Sequence, residues 1–110
     1  MRENKFQADL KKDIRKMFPG CVIAKLDSGD IQGIPDLLIL YEDRWAILEC
    51  KKSEEDAKHP RPNQPYYVDK LNRMSFSRFI YPENKEEVLD DLYETFKSRR
   101  TARTIQSEPA

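Results

Sequence analysis

Residues 33–51, GIPDLLILYEDRWAILECK, hold two apolar runs that are separated by a short charged break. Runs of this length that are rich in Leu, Ile and aromatic residues predict β-strands, here from Leu37 to Tyr41 and from Arg44 to Cys50. Because only Glu42 and Asp43 lie between the strands, we predict an antiparallel hairpin. These two residues are a weak turn signal, since tight hairpin turns prefer Gly or Asn.

The predicted hairpin brings acidic side chains together at its open end. Whether the loop is the two residues Glu42-Asp43 or the four residues from Tyr41 to Arg44, the register of the strands is the same and Asp36 lies opposite Glu49. Directly opposed residues share a face of the sheet with Cβ atoms about 4.5–5.5 Å apart, and the two-residue period adds Lys51 to that face. Converging carboxylates repel each other unless a cation lies between them, and they suit the hard ions Mg²⁺ and Mn²⁺. A three-residue loop would instead send Asp36 and Glu49 to opposite faces.

Hydrophobic periodicity predicts elements on both sides of the hairpin, in the order α-β-β-β-α-β-α. This order indicates an α/β fold in which a small mixed sheet is flanked by helices. We predict one domain over residues 1–100 and a disordered tail over residues 101–110, because the tail has no periodicity. The elements outside the hairpin are a first helix with Phe6, Leu10, Ile14 and Met17 on its apolar face, ended by Pro19-Gly20; a strand from Cys21 to Leu26; a helix that Asn63 caps, with Tyr67, Val68 and Leu71; a strand from Ser75 to Tyr81; and a helix that opens with Asn84 and Glu87 and carries Val88, Leu92 and Phe96.

Composition limits the classes of function that the chain can have. The 110 residues include 20 basic and 20 acidic side chains, so attraction to a polyanion must come from local charge and not from net charge. No uninterrupted apolar run has the length of a signal peptide or a membrane span, so we expect a cytoplasmic protein. Cys21 and Cys50 then lie in a reducing compartment, where we predict two small buried apolar residues and no disulfide.

The first helix provides a third acidic candidate. Its apolar stripe, extended backward from Phe6 by one turn, reaches Glu3, so Glu3 and Gln7 are predicted to face the sheet. The alternative is that Glu3 only complements the dipole at the N-terminus of the helix.

Short motifs follow one another along the chain. They are Glu3-x-x-Phe6-Gln7, Asp27-Ser28-Gly29, Gly33-Ile34-Pro35-Asp36-Leu37, Ile47-Leu48-Glu49-Cys50-Lys51 and Gln64. In this order they resemble the PD-(D/E)xK nucleases, and most closely the VRR-NUC and Holliday junction resolvase-like branch that is common in phages. The resemblance covers roughly residues 3–81 and implies a restriction-endonuclease-like fold that acts on DNA.

The resemblance also implies a metal site at the open end of the hairpin. Asp36 and Glu49 would bind Mg²⁺ directly, with Mn²⁺ able to substitute, and the backbone carbonyl of Cys50 would be a further ligand. Glu3 resembles an acidic residue that acts on the metal through water. No organic cofactor is implied.

Further side chains match positions that act on the substrate in this family. Lys51 would orient and deprotonate the attacking water and offset charge on the phosphate. Gln64 resembles a glutamine that supports the lysine and the substrate, and Ser28 resembles a serine near the scissile phosphate.

Local charge predicts where DNA binds. The acidic last helix is expected to point away from the phosphates. For Lys11, a solvated helix face is an equal alternative to DNA contact. His59, in a loop rich in Pro, is predicted to be exposed and to have no catalytic role. The basic residues that we expect to meet phosphates are Lys52, Lys58 and Arg61 after the hairpin, and Lys11 and Arg15 on the first helix.

These expectations describe a Mg²⁺-dependent, structure-selective endodeoxyribonuclease that acts on a Holliday junction or another branched DNA. Symmetric cutting of a junction would need a homodimer, and a phage-encoded enzyme would act in the cytoplasm of the host cell. Two alternatives remain open: a flap, fork or single-strand nuclease of the same fold, and a catalytically inactive DNA-binding module. A third, a small interaction protein, is favoured only by the acidic last helix.

Overall fold

A mixed four-stranded sheet flanked by helices forms the molecule. The computed structural model describes the backbone of residues 3–27 and 29–107, and the side chains of residues 4–27 and 29–97 within it. The strands lie in the order β1-β2-β3-β4; β1, β2 and β3 are antiparallel, and β4 is parallel to β3. The elements are α1 (Glu3–Met17), β1 (Val22–Lys25), β2 (Leu37–Tyr41), β3 (Arg44–Cys50), α2 (Glu54–Ala57), α3 (Gln64–Met74), β4 (Ser77–Ile80) and α4 (Lys85–Ser107).

The β2–β3 hairpin has the predicted bounds and the predicted register. Tyr41 pairs with Arg44 and Leu37 pairs with Leu48. The turn has no glycine, and Glu42 takes the left-handed conformation itself, with φ of 56°. Such a conformation costs about 1–2 kcal/mol for a residue with a Cβ. Ion pairs offset this cost, because Arg44 contacts both carboxylates of the turn.

One face of the sheet and two helices enclose the hydrophobic core. Leu37 and Leu48 on the sheet belong to the same buried cluster as Leu10 of α1 and Leu92 of α4, and all four residues are fully buried. Because side chains alternate along a strand, Glu49 and Ile47 point to the opposite face, where α3 packs across β3 and β4. The other buried apolar members of the core are Phe6, Ile14, Phe18, Ile39, Tyr41, Ala46, Cys50, Phe76, Ile80, Val88, Leu89 and Phe96.

Two differences from the predicted elements lie between β3 and α3. Glu54–Ala57 form a single helical turn, which periodicity cannot detect because one turn does not repeat the pattern; the Ser53 hydroxyl caps it by accepting a hydrogen bond from the Asp56 amide (3.0 Å). Asn63 precedes α3, but its backbone is left-handed (φ 73°) and its side chain does not cap the helix. Capping by a side chain needs an extended backbone at this position, so the prediction of an Asn63 cap is wrong.

The last helix is longer than the sequence predicts. It continues through residues 101–107, for which the sequence predicts disorder, and residues 108–110 lie outside the described residues. Since no Gly or Pro occurs between Asn84 and Ser107, nothing interrupts a helix that is already nucleated. Neither α4 nor any other helix in the described part of the chain is long and apolar enough to cross a membrane.

Both cysteines are free thiols. Cys50 is 1% exposed and belongs to the core, as predicted. Cys21 is only half-buried and packs against the edge of the core. The prediction of a small apolar role therefore holds for both cysteines, and the prediction of full burial holds only for Cys50.

Candidate active site

The open end of the β2–β3 hairpin positions the two predicted carboxylates. Leu37 pairs with Leu48, so Asp36 and Glu49 follow as the next opposed pair. The backbone of Asp36 is also tied to β1, because its carbonyl accepts a hydrogen bond from the Leu26 amide (2.8 Å). Strand pairing on both sides therefore fixes the direction in which the Asp36 side chain leaves the sheet.

Neutral donors hold the Asp36 carboxylate. The Cys50 amide donates to Oδ1 (3.3 Å), and the Gln7 side-chain amide on α1 donates to Oδ2 (3.1 Å). Burial raises the pKa of Asp36, and the Cys50 amide and the charges of Lys25 and Lys51 only partly offset the rise. A carboxylate that is desolvated in this way gains from a cation beside it.

Gln64 joins the other two predicted residues into one network. Its side-chain nitrogen donates to Glu49 Oε2 (3.1 Å), and its side-chain oxygen accepts from Lys51 Nζ (2.9 Å). The ammonium of Lys51 lies 3.9 Å from Glu49 Oε2. Glu49, Lys51 and Gln64 are 5%, 8% and 8% exposed, so this network is shielded from water, which strengthens its electrostatic interactions.

The same glutamine also fixes the loop before α3. Gln64 Oε1 accepts a second hydrogen bond, from the backbone amide of Arg61 (2.9 Å). A single amide oxygen thus ties Lys51 to the loop that carries Arg61. Movement of this loop would disturb the position of the Lys51 ammonium.

These residues open into a polar cleft of about 410 Å³. A cavity of this size is within the range that holds a small ligand. Basic side chains line it beside acidic ones, so it can receive both a cation and a phosphate. The residues that line it are Leu26, Ile34, Asp36, Glu49, Lys51, Lys52, Asp56, His59, Arg61 and Gln64.

The structure brings some of the predicted site residues together and leaves others apart. Asp36, Glu49, Lys51, Gln64, Lys52 and Arg61 all line the cleft. Lys58 does not line it and instead pairs with Glu55 (3.6 Å). The Cys50 thiol lies in the core, which leaves only the backbone of that residue near the cleft. The side chains of Glu3 and Ser28 lie outside the described residues.

The predicted DNA contacts on α1 lie away from the cleft. Lys11 and Arg15 are one and two turns beyond Gln7 along the helix, and neither lines the cleft. Burial raises the pKa of the Cys21 thiol and the nearby charge of Arg15 partly offsets the rise, which locates Arg15 beside Cys21. Cys21 precedes β1, whereas Leu26, after β1, lines the cleft, so Arg15 is at the far end of that strand.

Three residues near the site had no predicted role. Gln7 was predicted only to face the sheet, and it contacts Asp36. Lys25 pairs with Leu37 across β1 and β2, next to Asp36, whose pKa its charge lowers. Asp56 reaches the cleft from α2. The pairing of β1 with β2 could have revealed Lys25, but the long loop between these strands hides their register from the sequence. His59 is exposed, as predicted, at the rim of the cleft.

The donor set fits a hard divalent cation. Within residues 4–27 and 29–97, no group of three or more His, Cys, Asp and Glu side chains is close enough to hold a metal ion. Mg²⁺, however, commonly takes only one or two carboxylates and completes its coordination with water and substrate phosphates. Asp36 and Glu49, aimed into one cleft and held by neutral amides, meet this requirement.

Comparison with protein-family models, with curated proteins and with solved structures found no match to the chain. The fold is a mixed α/β arrangement with a four-strand mixed sheet flanked by helices. A functional interpretation of the cleft depends on the chemistry of its own side chains.

Proposed function

We propose that the protein is a Mg²⁺-dependent, structure-selective endodeoxyribonuclease, and that branched DNA is its substrate. One observation carries the proposal: Asp36, Glu49 and Lys51 line a single cleft at the open end of the hairpin. Two carboxylates for a metal and one amine for the nucleophile are the groups that metal-dependent phosphodiester hydrolysis needs. The resemblance of the sequence motifs to PD-(D/E)xK nucleases supports the same assignment.

Asp36 and Glu49, with the backbone carbonyl of Cys50, would hold the metal. The amides of Gln7 and Gln64 orient the two carboxylates but leave their charge intact, because an amide donor is neutral. When bound, Mg²⁺ would lower the pKa of a coordinated water and offset negative charge on the phosphate. A Glu3 contribution through water is part of the proposal.

Lys51 would act on the attacking water. Gln64 and Glu49 hold its ammonium in the cleft, so its three donors are restricted to a small volume. There it would orient the water for in-line attack and offset charge that develops on the phosphate. The attack forms a bond from phosphorus to the water oxygen and breaks the bond to the leaving sugar oxygen. The water loses a proton and the leaving oxygen gains one.

Lys52 and Arg61 would bind the DNA backbone on either side of the cut. Both are exposed and both line the cleft, where phosphates pair with ammonium and guanidinium groups. Because the chain has no net charge, binding would depend on these local cations and would weaken with added salt.

For a four-way junction, two symmetric cuts would need two active sites, and we propose a homodimer for that substrate. A flap, fork or single-strand nuclease would use the same residues. An inactive DNA-binding module would have no need to keep Asp36, Glu49 and Lys51 in one cleft.

The test offers labelled four-way junctions, flaps, single strands and linear duplex to the full chain with Mg²⁺ or Mn²⁺. Asp36→Asn and Lys51→Ala are assayed beside the wild type, with Asp43→Asn in the hairpin turn as the matched control. We expect metal-dependent cleavage that the first two variants lose and the control keeps. Paired symmetric nicks would select the junction resolvase, whereas cuts confined to flaps or single strands would select the alternative nuclease. The nuclease proposal fails if no substrate is cut, or if Asp36→Asn and Lys51→Ala cut like wild type.

A further inference from the structure

A second cavity, of about 450 Å³, adjoins the cleft. Two loops form it: residues 29–34, which precede β2, and residues 61–64, which lead into α3. Ile34, Arg61 and Gln64 line both the cleft and this cavity, so the two spaces share a wall. The second cavity also has a size that holds a small organic group.

Backbone packing builds this cavity. Gly33 has φ of +91°, and a Cβ placed on it would lie 2.6 Å from the Cβ of Asn63 and 2.8 Å from its carbonyl carbon. Such contacts are too short for any side chain, so only glycine lets the two loops touch. Since Gln64, the next residue, is tied to Arg61 and Lys51, the cavity is held in a fixed relation to the catalytic groups.

The chemistry of its lining differs from that of the cleft. Three carboxylates, from Asp36, Glu49 and Asp56, line the cleft. By contrast, every residue that lines the second cavity is neutral or basic: Gly29, Gln32, Gly33, Ile34, Arg61, Pro62 and Gln64.

This lining suits a nucleobase. Ile34 and Pro62 offer apolar surfaces to the flat faces of a ring, and the exposed amide of Gln32 offers both a donor and an acceptor to its edge. Arg61 lies at the border with the cleft, where the phosphate of the same nucleotide would be.

We propose that the second cavity is a nucleotide subsite, which takes the base of an unpaired nucleotide next to the scissile phosphate. The proposal rests on the proposed nuclease function and adds a substrate class to it. A base inside a duplex has both faces stacked and its edge paired, so it cannot enter a cavity unless it leaves the stack. The substrates are therefore DNAs with an unpaired nucleotide beside the cut, such as flaps, forks and open branch points, and linear duplex is a poor substrate.

The test combines a change in the DNA with a change in the protein. After the cut in a forked DNA has been mapped, an abasic site replaces each flanking nucleotide in turn, and cleavage is measured for wild type, Gln32→Ala and Ile31→Ala. Ile31 is an exposed neighbour in the same loop that does not line the second cavity. Loss of the base on one side of the cut should lower kcat/KM by about 10-fold, which is the usual effect of one base contact.

Gln32→Ala should lower cleavage of the intact fork and have little further effect on the abasic fork, because both changes remove the same contact. Ile31→Ala should behave as wild type on both DNAs. The subsite is ruled out if neither abasic DNA is cut more slowly than the intact fork, if Gln32→Ala slows both DNAs equally, or if linear duplex is cut as fast as the fork.

A binding measurement separates this proposal from the nuclease proposal. A single-stranded oligonucleotide that contains 2-aminopurine is titrated with each protein without metal, and the emission of the base is recorded. A change in emission that Gln32→Ala weakens and Ile31→Ala keeps would support the subsite even if no DNA is cut. The subsite would be overturned if the wild-type protein causes no change in emission, or if Gln32→Ala causes the same change as the wild type.

Discussion

The two ends of the β2–β3 hairpin carry the same charges in different surroundings. Residues 36–51 contribute two carboxylates and one cation to each end: Glu42, Asp43 and Arg44 at the turn, and Asp36, Glu49 and Lys51 at the open end. At the turn the guanidinium contacts both carboxylates directly, at 3.1 and 3.2 Å, and their side chains are 39% and 65% exposed. Water and the guanidinium together satisfy these acids, so the turn is a structural unit.

At the open end the Glu49 carboxylate is buried, the Asp36 carboxylate is half-buried, and amides hold both. The Glu49 side chain is 7% exposed, Gln64 lies between it and Lys51, and Gln7 contacts Asp36. Burial raises the pKa of Asp36, so the folded chain disfavours the ionised carboxylate. A bound metal would stabilise this ionised form. Residue type alone therefore does not decide the surroundings of a carboxylate: at the turn the guanidinium contacts both acids directly, whereas at the open end amides hold both acids and the Lys51 ammonium lies 3.9 Å from Glu49 only.

Removal of the Lys51 cation at the open end should have the largest effect, which is on the cleavage rate. Lys51→Ala should lower the cleavage rate by about 10²–10⁴-fold, because the variant loses the group that we propose orients the water and offsets charge on the phosphate. The rate is measured on the best DNA substrate at saturating Mg²⁺. Lys70→Ala, an exposed lysine on α3, is the control and should cut normally. Equal rates for Lys51→Ala and wild type would remove Lys51 from the reaction.

Removal of the Gln64 amide at the open end should have a smaller effect on the cleavage rate. Gln64→Ala should lower the rate by about 10–100-fold and raise the Mg²⁺ concentration needed for half-maximal rate, since groups that orient metal ligands have effects of this size. A loss of structure alone would lower the amount of active protein and leave the Mg²⁺ requirement unchanged. Asp69→Ala on the outer side of the same helix should change neither quantity. An unchanged Mg²⁺ requirement in Gln64→Ala would contradict the positioning role.

Removal of the cation at the turn should affect stability and leave catalysis intact. The Arg44 side chain is only 3% exposed and pairs with Glu42 and Asp43. Arg44→Met keeps the apolar volume but loses these charge-assisted hydrogen bonds, so the free energy of unfolding should fall by about 1–3 kcal/mol. Urea unfolding measures this change, and cleavage per folded molecule should stay at the wild-type level. If folded Arg44→Met lost cleavage, the turn would affect catalysis as well as stability, which would contradict the separation of the two ends.

In the absence of metal, neutralisation of Asp36 should have only a small effect on stability, and a stabilising one. Burial raises the pKa of Asp36 above its ordinary value of 3.8, so the folded state holds the proton more tightly, and the stability that the neutral form provides is lost as pH rises through the raised pKa. In EDTA at pH 7, Asp36→Asn should therefore melt at a higher temperature than wild type.

The same difference in melting temperature should shrink as the pH falls through the raised pKa of Asp36 and should be small below pH 3.8, where the wild-type carboxyl is neutral as well. Asp43→Asn at the turn loses an ion pair and should melt at the same temperature as wild type or slightly lower. Lower stability of Asp36→Asn at pH 7 would contradict the desolvation of Asp36.

The hairpin could be predicted from the sequence because its information is local. Two apolar runs with two residues between them favour the pairing of Tyr41 with Arg44 over the register of a three-residue loop, and the structure has this pairing, which places Asp36 opposite Glu49. The core faces of α1 and α4 could be predicted for the same reason, since helical spacing places Leu10 and Leu92 on buried stripes.

The contacts around these carboxylates could not be predicted from the sequence. The Gln7 and Lys25 contacts depend on how α1 and β1 pack around Asp36, and the chain between β1 and β2 is too long to fix that register. The single turn α2, which brings Asp56 to the cleft, is too short for a periodic signal. Lys58 and Arg15 were placed near DNA by charge alone, and charge does not specify position on a fold.

Backbone NMR during a Mn²⁺ titration tests the central claim most directly. Mn²⁺ broadens the signals of nuclei near it, and about 20 Å of strand separate the two ends of the hairpin. The amides of Cys50 and Lys51 should broaden first, those of Glu42 and Asp43 should stay sharp, and Glu49→Gln should abolish the effect. Broadening that is equal at both ends, or that persists unchanged in Glu49→Gln, would contradict a metal site at the open end.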